Sequence, residues 1–159
     1  FDAVRWSHAR SGDILYSPDW TDGKNEHGVA GTSASNGVAG HGGSSPFEVH
    51  NTLIAAGPDI KQGVTSALPS GNVDFAPTFL HMLGIGIPAS MQGRPLLEAL
   101  RAPEPKRAPA SMKPVQVTAR TPNGSYTQTA FFSVVRAGST DYRYLDYTTV
   151  SRRSSVVSR

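Results

Sequence analysis

The sequence predicts an α/β chain: the edge of an α/β sheet with two helices, followed by a small antiparallel β meander. Three observations carry that reading. Two short apolar runs, "GDILYS" at 12–17 and "NTLIAAGP" at 51–58, are continuous rather than alternating, the pattern of strands covered on both faces. Two stretches, "SGNVDFAPTFLHMLGI" and "GRPLLEALR", then read as helices, the first with apolar residues recurring at helical spacing. Beyond residue 114 the chain is rich in Val, Thr and Tyr and holds an Asn-Gly turn, as in hairpin-connected strands.

Each element has its punctuation. The first run closes on Ser17-Pro18 and the second on Gly57-Pro58. Between them, residues 18–50 form a long glycine-rich loop with little periodicity, and connections of that length inside a domain are usually functional or disordered. In "SGNVDFAPTFLHMLGI", Asn72 or Asp74 can cap a helix, Pro77 suits its first turn, Phe75, Phe79, Leu80 and Leu83 recur at helical spacing, and Gly84 stops it. "GRPLLEALR" at 93–101 reads as a shorter helix of the same design. Residues 102–114 hold four prolines and read as a linker or surface strap. "VQVTAR", "SYTQTAFFSVVR" and "TDYRYLDYTTVS" are the three strands of the meander, with "PNGS" turning between the first two. The organisation expected is therefore an α/β core portion at 1–101, a linker at 102–114 and a β-rich segment with a basic tail at 115–159. Two parallel strands alone would have unpaired edges, so the chain is expected to be the C-terminal part of a larger protein.

Composition narrows the chemistry. The chain has 159 residues, 15 Lys and Arg against 12 Asp and Glu, and no Cys. The net charge of +3 sits partly in the tail "SRRSSVVSR" and is too small and local for a nucleic-acid footprint. Without cysteine, a metal must be held by His, Asp or Glu. No apolar run is long enough to span a membrane. The Gly-x-Ser-x-Gly elbow, the phosphate loop and the His-Glu-x-x-His motif are all missing from this stretch.

Of the five histidines, His8, His50 and His81 lie in contexts typical of surface or core roles. His27, flanked by Glu26 and Gly28, reads first as a solvated loop residue. His41 differs, because Gly40, Gly42 and Gly43 surround it and strip away side chains that would crowd an imidazole reaching a metal or anion. The alternative is a flexible glycine turn. One imidazole does not make a metal site, since zinc takes at least three protein ligands.

Taken in order, "RSGDILYSPDW", "GHGGSSPFEVHNTLIAAGPDIKQG", "LPSGNVDFAPTFLHMLGI" and "MQGRPLLEAL" resemble the C-terminal part of the alkaline phosphatase superfamily, in its type I phosphodiesterase/nucleotide pyrophosphatase and sulfatase-like branches. The resemblance covers about residues 10–100 and, more loosely, the end of the meander. It implies an alkaline-phosphatase-like α/β sheet. It also implies a parent enzyme that hydrolyses phosphodiesters, pyrophosphates or related esters with two divalent metal ions, usually zinc, and a small-molecule phosphate ester as substrate. His41 matches the family's late metal-ligating His, and the nucleophile and remaining ligands are expected upstream, leaving this chain inactive by itself. Gly40, Gly42 and His27 are the expected substrate-facing loop residues, residues 19–40 being either a lid or a surface insertion. An extracytoplasmic location follows from the resemblance alone. The competing readings are a sulfatase proper, or a non-catalytic module that binds a partner or carbohydrate.

Overall fold

Alternating Val, Thr, Tyr and Phe residues build the meander, and glycines turn it. Strands β1 (Ser111–Arg120), β2 (Tyr126–Ala137) and β3 (Thr140–Arg152) form an antiparallel sheet in the order β1-β2-β3. The computed structural model describes residues 8–31, 42–101 and 110–153. The two connections are short enough to need left-handed backbone, supplied by Gly124 (φ +66°) and Gly138 (φ +62°). β1 begins inside the proline-rich stretch and includes Pro114, which an edge strand tolerates because a missing N–H there need not break the ladder. β1 is exposed along nearly its whole length, whereas central β2 buries Phe132, Val134 and Val135. Across the β2–β3 turn Arg136 and Asp141 form a two-point ion pair. Hydrogen bonding from Arg136 holds the Asp141 carboxyl below its ordinary value.

The chain gathers into two compact units, one from Thr52–Pro114 and Ser133–Tyr144, the other from Phe1–Asn51, Val115–Phe132 and Leu145–Arg159. In the first, the expected helix forms as a 3-10 turn, Asn72–Asp74, running into α2 (Phe75–Met82). It stops at Gly84 (φ +67°), where Ile85 N–H donates to the Leu80 carbonyl across the left-handed residue, a Schellman closure. The face turned inward is not the Phe75 and Phe79 stripe, both of which are exposed, but Asp74, Pro77 and Thr78.

Asp74 is fully buried and fully used. Its Oδ2 accepts from Gly71 N–H (2.9 Å), and its Oδ1 accepts from Arg94 N–H (2.8 Å) and from the Tyr144 hydroxyl (3.2 Å). One turn on, Thr78 Oγ1 donates to the Asp74 carbonyl (2.6 Å) and accepts from Leu96 N–H (3.0 Å). The Arg94 guanidinium, itself buried, spreads its donors over Tyr144 Oη (3.1 Å), both oxygens of Glu98 (2.8 Å each) and the Pro69 carbonyl (3.0 Å). Burial by itself would lower the Arg94 pKa, yet hydrogen bonding and charge from Glu98, with Tyr144 adding, carry it above its ordinary value. Gly93 makes this approach possible, because a Cβ there would collide with the Val73 carbonyl.

Three expected elements differ. Residues 12–17 and 51–58, read as buried strands, take no regular structure, and Ile14 and Ile54 are 84% and 86% exposed. A strand needs a ladder partner for its N–H and C=O groups. Among the described residues neither run has one. The second helix, expected over 93–101, shrinks to a 3-10 turn, Leu97–Ala99. Its end is drawn into extended pairing instead: Lys61 N–H donates to the Ala99 carbonyl, Arg101 N–H donates to the Asp59 carbonyl, and Ile60 bridges Leu100. A helical turn that sequence reading missed, α1 (Pro46–Val49), opens on Ser45 with Pro46 in its first turn.

Asp74→Ala leaves three donors without their acceptor and is expected to cost about 3–5 kcal/mol by urea denaturation, against about 1 kcal/mol for Tyr144→Phe. Burial first, then the Asp74 charge, pushes the Tyr144 hydroxyl above its ordinary 10.0, with Arg94 pulling the other way. Below pH 10 both folded and unfolded chains keep that proton; above it the unfolded chain sheds it first, so the contribution of Tyr144 is lost as pH rises. The stability gap between wild type and Tyr144→Phe should therefore shrink on going from neutral pH to above about pH 10; a gap that widens would contradict this.

Candidate functional site

The glycine-rich segment is anchored in the second unit by rings and hydroxyls. Trp20 meets Phe47 of α1 and Tyr147 of β3 edge-on, at centroid distances of 6.2 and 6.1 Å, and Tyr147 stacks on Phe131 of β2 at 4.5 Å. Such aromatic geometry adds about 0.5–1.5 kcal/mol per pair beyond area burial. The Trp20 indole N–H donates to the Thr148 carbonyl at 2.7 Å. Gly31 lies against the Phe47 ring where any Cβ would clash, and its φ of +79° is itself a glycine conformation.

Ser44 is the second anchor. Its hydroxyl lies 2.6 Å from Thr148 Oγ1 and donates to Ser17 Oγ at 3.0 Å. The Ser44 N–H donates to Ser17 Oγ, and the Ser44 carbonyl accepts from Thr148 N–H. No imidazole or carboxylate enters this set among the described hydrogen bonds, so these hydroxyls lack the adjacent base that would make one a nucleophile. Their chemistry is to hold the chain three residues beyond position 41 against β3.

The predicted site residues fall as follows. His41 and Gly40 lie outside the described residues. Gly42 adopts φ +85° with nothing within 4 Å of where a Cβ would sit, so its requirement is conformational. At Gly43 the vacated space is taken by the Glu48 carboxylate, which also accepts from the Ser45 hydroxyl (3.3 Å). Part of the clearance read from "GHGG" is thus filled by the same segment. His27 sits on a closed turn: Asn25 Oδ1 accepts from the N–H groups of His27 (3.0 Å) and Val29 (2.9 Å), and Gly31 N–H donates to the Thr21 carbonyl (2.8 Å). That turn leaves the His27 imidazole exposed, 3.5 Å from an equally exposed Glu26 carboxylate.

His8 Nδ1 accepts from Arg10 N–H, and His50 lies 4.0 Å from Asp146. Among the described residues no three His, Asp or Glu side chains converge on a point that could hold a metal. The described residues therefore do not by themselves fit a two-metal centre. No helix of the described residues is long and apolar enough to cross a membrane.

Sequence reading missed Trp20, Thr148 and Tyr147. Tyr147 and Thr148 lie in the aromatic and threonine-rich "YRYLDYTT" and Trp20 ends "RSGDILYSPDW", but neither stretch names a partner more than a hundred residues away. Ser44→Ala and Thr148→Val should each cost about 1 kcal/mol. The double variant should cost less than their sum by about 0.5 kcal/mol or more, measured as a double-mutant cycle in urea; strict additivity would show the hydroxyl pair to be uncoupled.

No family model and no solved structure matches the chain. Over 61 residues, 38% of the chain, it is 39% identical to a Caenorhabditis elegans protein named as an extracellular sulfatase Sulf-1 homolog, of which the match covers 9%. Over 42 residues, 24% of the chain, it is 52% identical to an N-acetylglucosamine-6-O-sulfatase of Bacteroides thetaiotaomicron, of which the match covers 8%. The matched stretches thus span less than a tenth of either relative's length. These partial matches support a relationship to the alkaline-phosphatase-like and sulfatase superfamily, at that level.

Proposed function

We propose that the chain is part of a sulfatase-like, metal-dependent hydrolase and contributes His41 as one ligand of its metal site. The observation that carries this reading is the 52% identity to a sulfatase over 42 residues, joined by the match to a second protein named as a sulfatase. Both names favour sulfate esters as the substrate class. The ordered motifs from "RSGDILYSPDW" to "MQGRPLLEAL", which resemble type I phosphodiesterases as well, favour a second reading in which the substrate is a phosphodiester or pyrophosphate. Both readings share the metal requirement, with zinc the ion implied by the resemblance. A neutral imidazole at position 41 suits zinc, and its co-ligands and the nucleophile are sought in the rest of the full-length protein. An extracytoplasmic location fits the relative named as extracellular.

In the full-length protein, His41→Ala should lower kcat/KM at least about 10- to 100-fold and reduce bound metal by elemental analysis. Activity and metal content unchanged from wild type would remove His41 from the site. Parallel assays with 4-nitrophenyl sulfate and bis(4-nitrophenyl) phosphate choose between the substrate classes: faster sulfate release supports the first reading, faster diester cleavage the second.

A further inference from the structure

The loop from β1 to β2 carries the tripeptide Asn123-Gly124-Ser125, an Asn-x-Ser pattern whose amide nitrogen accepts N-linked oligosaccharide in exported proteins. Asn123 is exposed. Its Oδ1 accepts three hydrogen bonds, from the hydroxyl of Ser125 (2.7 Å), from the N–H of Ser125 (3.1 Å) and from the hydroxyl of Thr121 (2.8 Å). None of the described hydrogen bonds of this loop uses Asn123 Nδ2. Beside it, Gly124 adopts φ +66°, a glycine conformation that turns the loop. The loop ends are fixed by Tyr126 N–H donating to Thr121 Oγ1 (3.1 Å) and by Arg153 N–H donating to the Ser125 carbonyl (2.9 Å).

A carboxamide nitrogen is a weak nucleophile because its lone pair is delocalised into the carbonyl. Loss of one Nδ2 proton turns the group into an imidate whose negative charge falls on Oδ1. Hydrogen bonds to a charged form favour that form, and three donors already meet at this oxygen.

We propose that Asn123 is an acceptor site for N-linked oligosaccharide. The donor is a lipid-pyrophosphate-linked oligosaccharide. Nδ2 bonds to the anomeric carbon, the bond from that carbon to the pyrophosphate oxygen breaks, the lipid pyrophosphate leaves with the electron pair, and the Nδ2 proton passes to a base of the transferase. The proposal rests on the extracytoplasmic location given above and on no assignment within the catalytic site.

The test is the full-length protein secreted from cultured insect cells and digested with trypsin, which releases residues 121–136 as one peptide. Glycan is expected on that peptide by intact mass, and amidase release in ¹⁸O-water should leave an isotope-labelled Asp at 123 that a parallel incubation without amidase lacks. Asn123→Gln and Ser125→Ala should abolish occupancy, while Ser125→Thr, which keeps the hydroxyl, should retain it. Bare Asn123 in the secreted protein, unlabelled Asp from simple Asn-Gly deamidation, or a modification that survives Ser125→Ala would each overturn the proposal. Failure of the hydrolase reading is separable: an inactive protein glycosylated at Asn123 defeats only the function, and an active protein with bare Asn123 defeats only this site.

Discussion

The carboxylate of Asp74 is a charge with no exposure to water, and its unit is arranged around supplying what water would have supplied. Two backbone amides and a phenol take its two oxygens. Each donor comes from a different place in the chain: the turn before α2, the Gly93-Arg94 corner and the first half of β3. A buried anion with one donor removed is far worse than an apolar residue of the same size, because the unpaired group keeps its full desolvation penalty. The requirement explains why Gly93 has no side chain and why α2 turns Pro77 and Thr78 inward instead of its phenylalanines. The ion pair of Arg94 with Glu98 belongs to the same set, since the Arg94 guanidinium reaches Tyr144 while its own backbone N–H reaches Asp74.

The other unit uses a different device. There the glycine-rich segment, which has few side chains with which to hold itself, is fixed at two points where side chains exist. Trp20 supplies area and one indole N–H; Ser44 supplies a hydroxyl, an N–H and a carbonyl, all used. Both points end on the same residue of β3, Thr148, through its carbonyl, its N–H and its side chain. A glycine loop that pays heavily in chain entropy is thereby held at its two ends by one strand position.

Local signals in the sequence specify structure where the governing interactions are local. Asn72 to Gly84 announces a helix because its turn, its first-turn proline and its glycine stop all act within a few residues. The meander was legible for the same reason: Val, Thr and Tyr in alternation, with Asn123-Gly124 between them, need only adjacent strands. The runs around Ile14 and Ile54 misled because apolar continuity describes what a segment would prefer to bury, while strand formation also needs a partner ladder. "GRPLLEALR" misled because helical spacing cannot show that Asp59, Ile60 and Lys61 compete for the same backbone groups. The contact of Asp74 with Tyr144 spans 70 residues and left no pattern to read. Of the candidate site, the glycines of "GHGG" are legible as such, but that Gly42 serves a left-handed φ rather than clearance, and that Glu48 fills the space at Gly43, depends on how the segment turns, which no residue spacing encodes.

The placement of Pro114 in β1 bears on solubility. An edge strand offers its outer row of amides and carbonyls to any other strand, including one from a second copy. Along Ser111–Arg120 that row is interrupted by a residue with no N–H to give, preceded by the cationic Lys113. A foreign strand can therefore register only on the half of β1 beyond the proline, a stretch of six residues that ends in Arg120. Proline and lysine on an edge strand are among the features that blunt it against pairing, so a proline that looks misplaced inside a strand limits sheet-to-sheet growth.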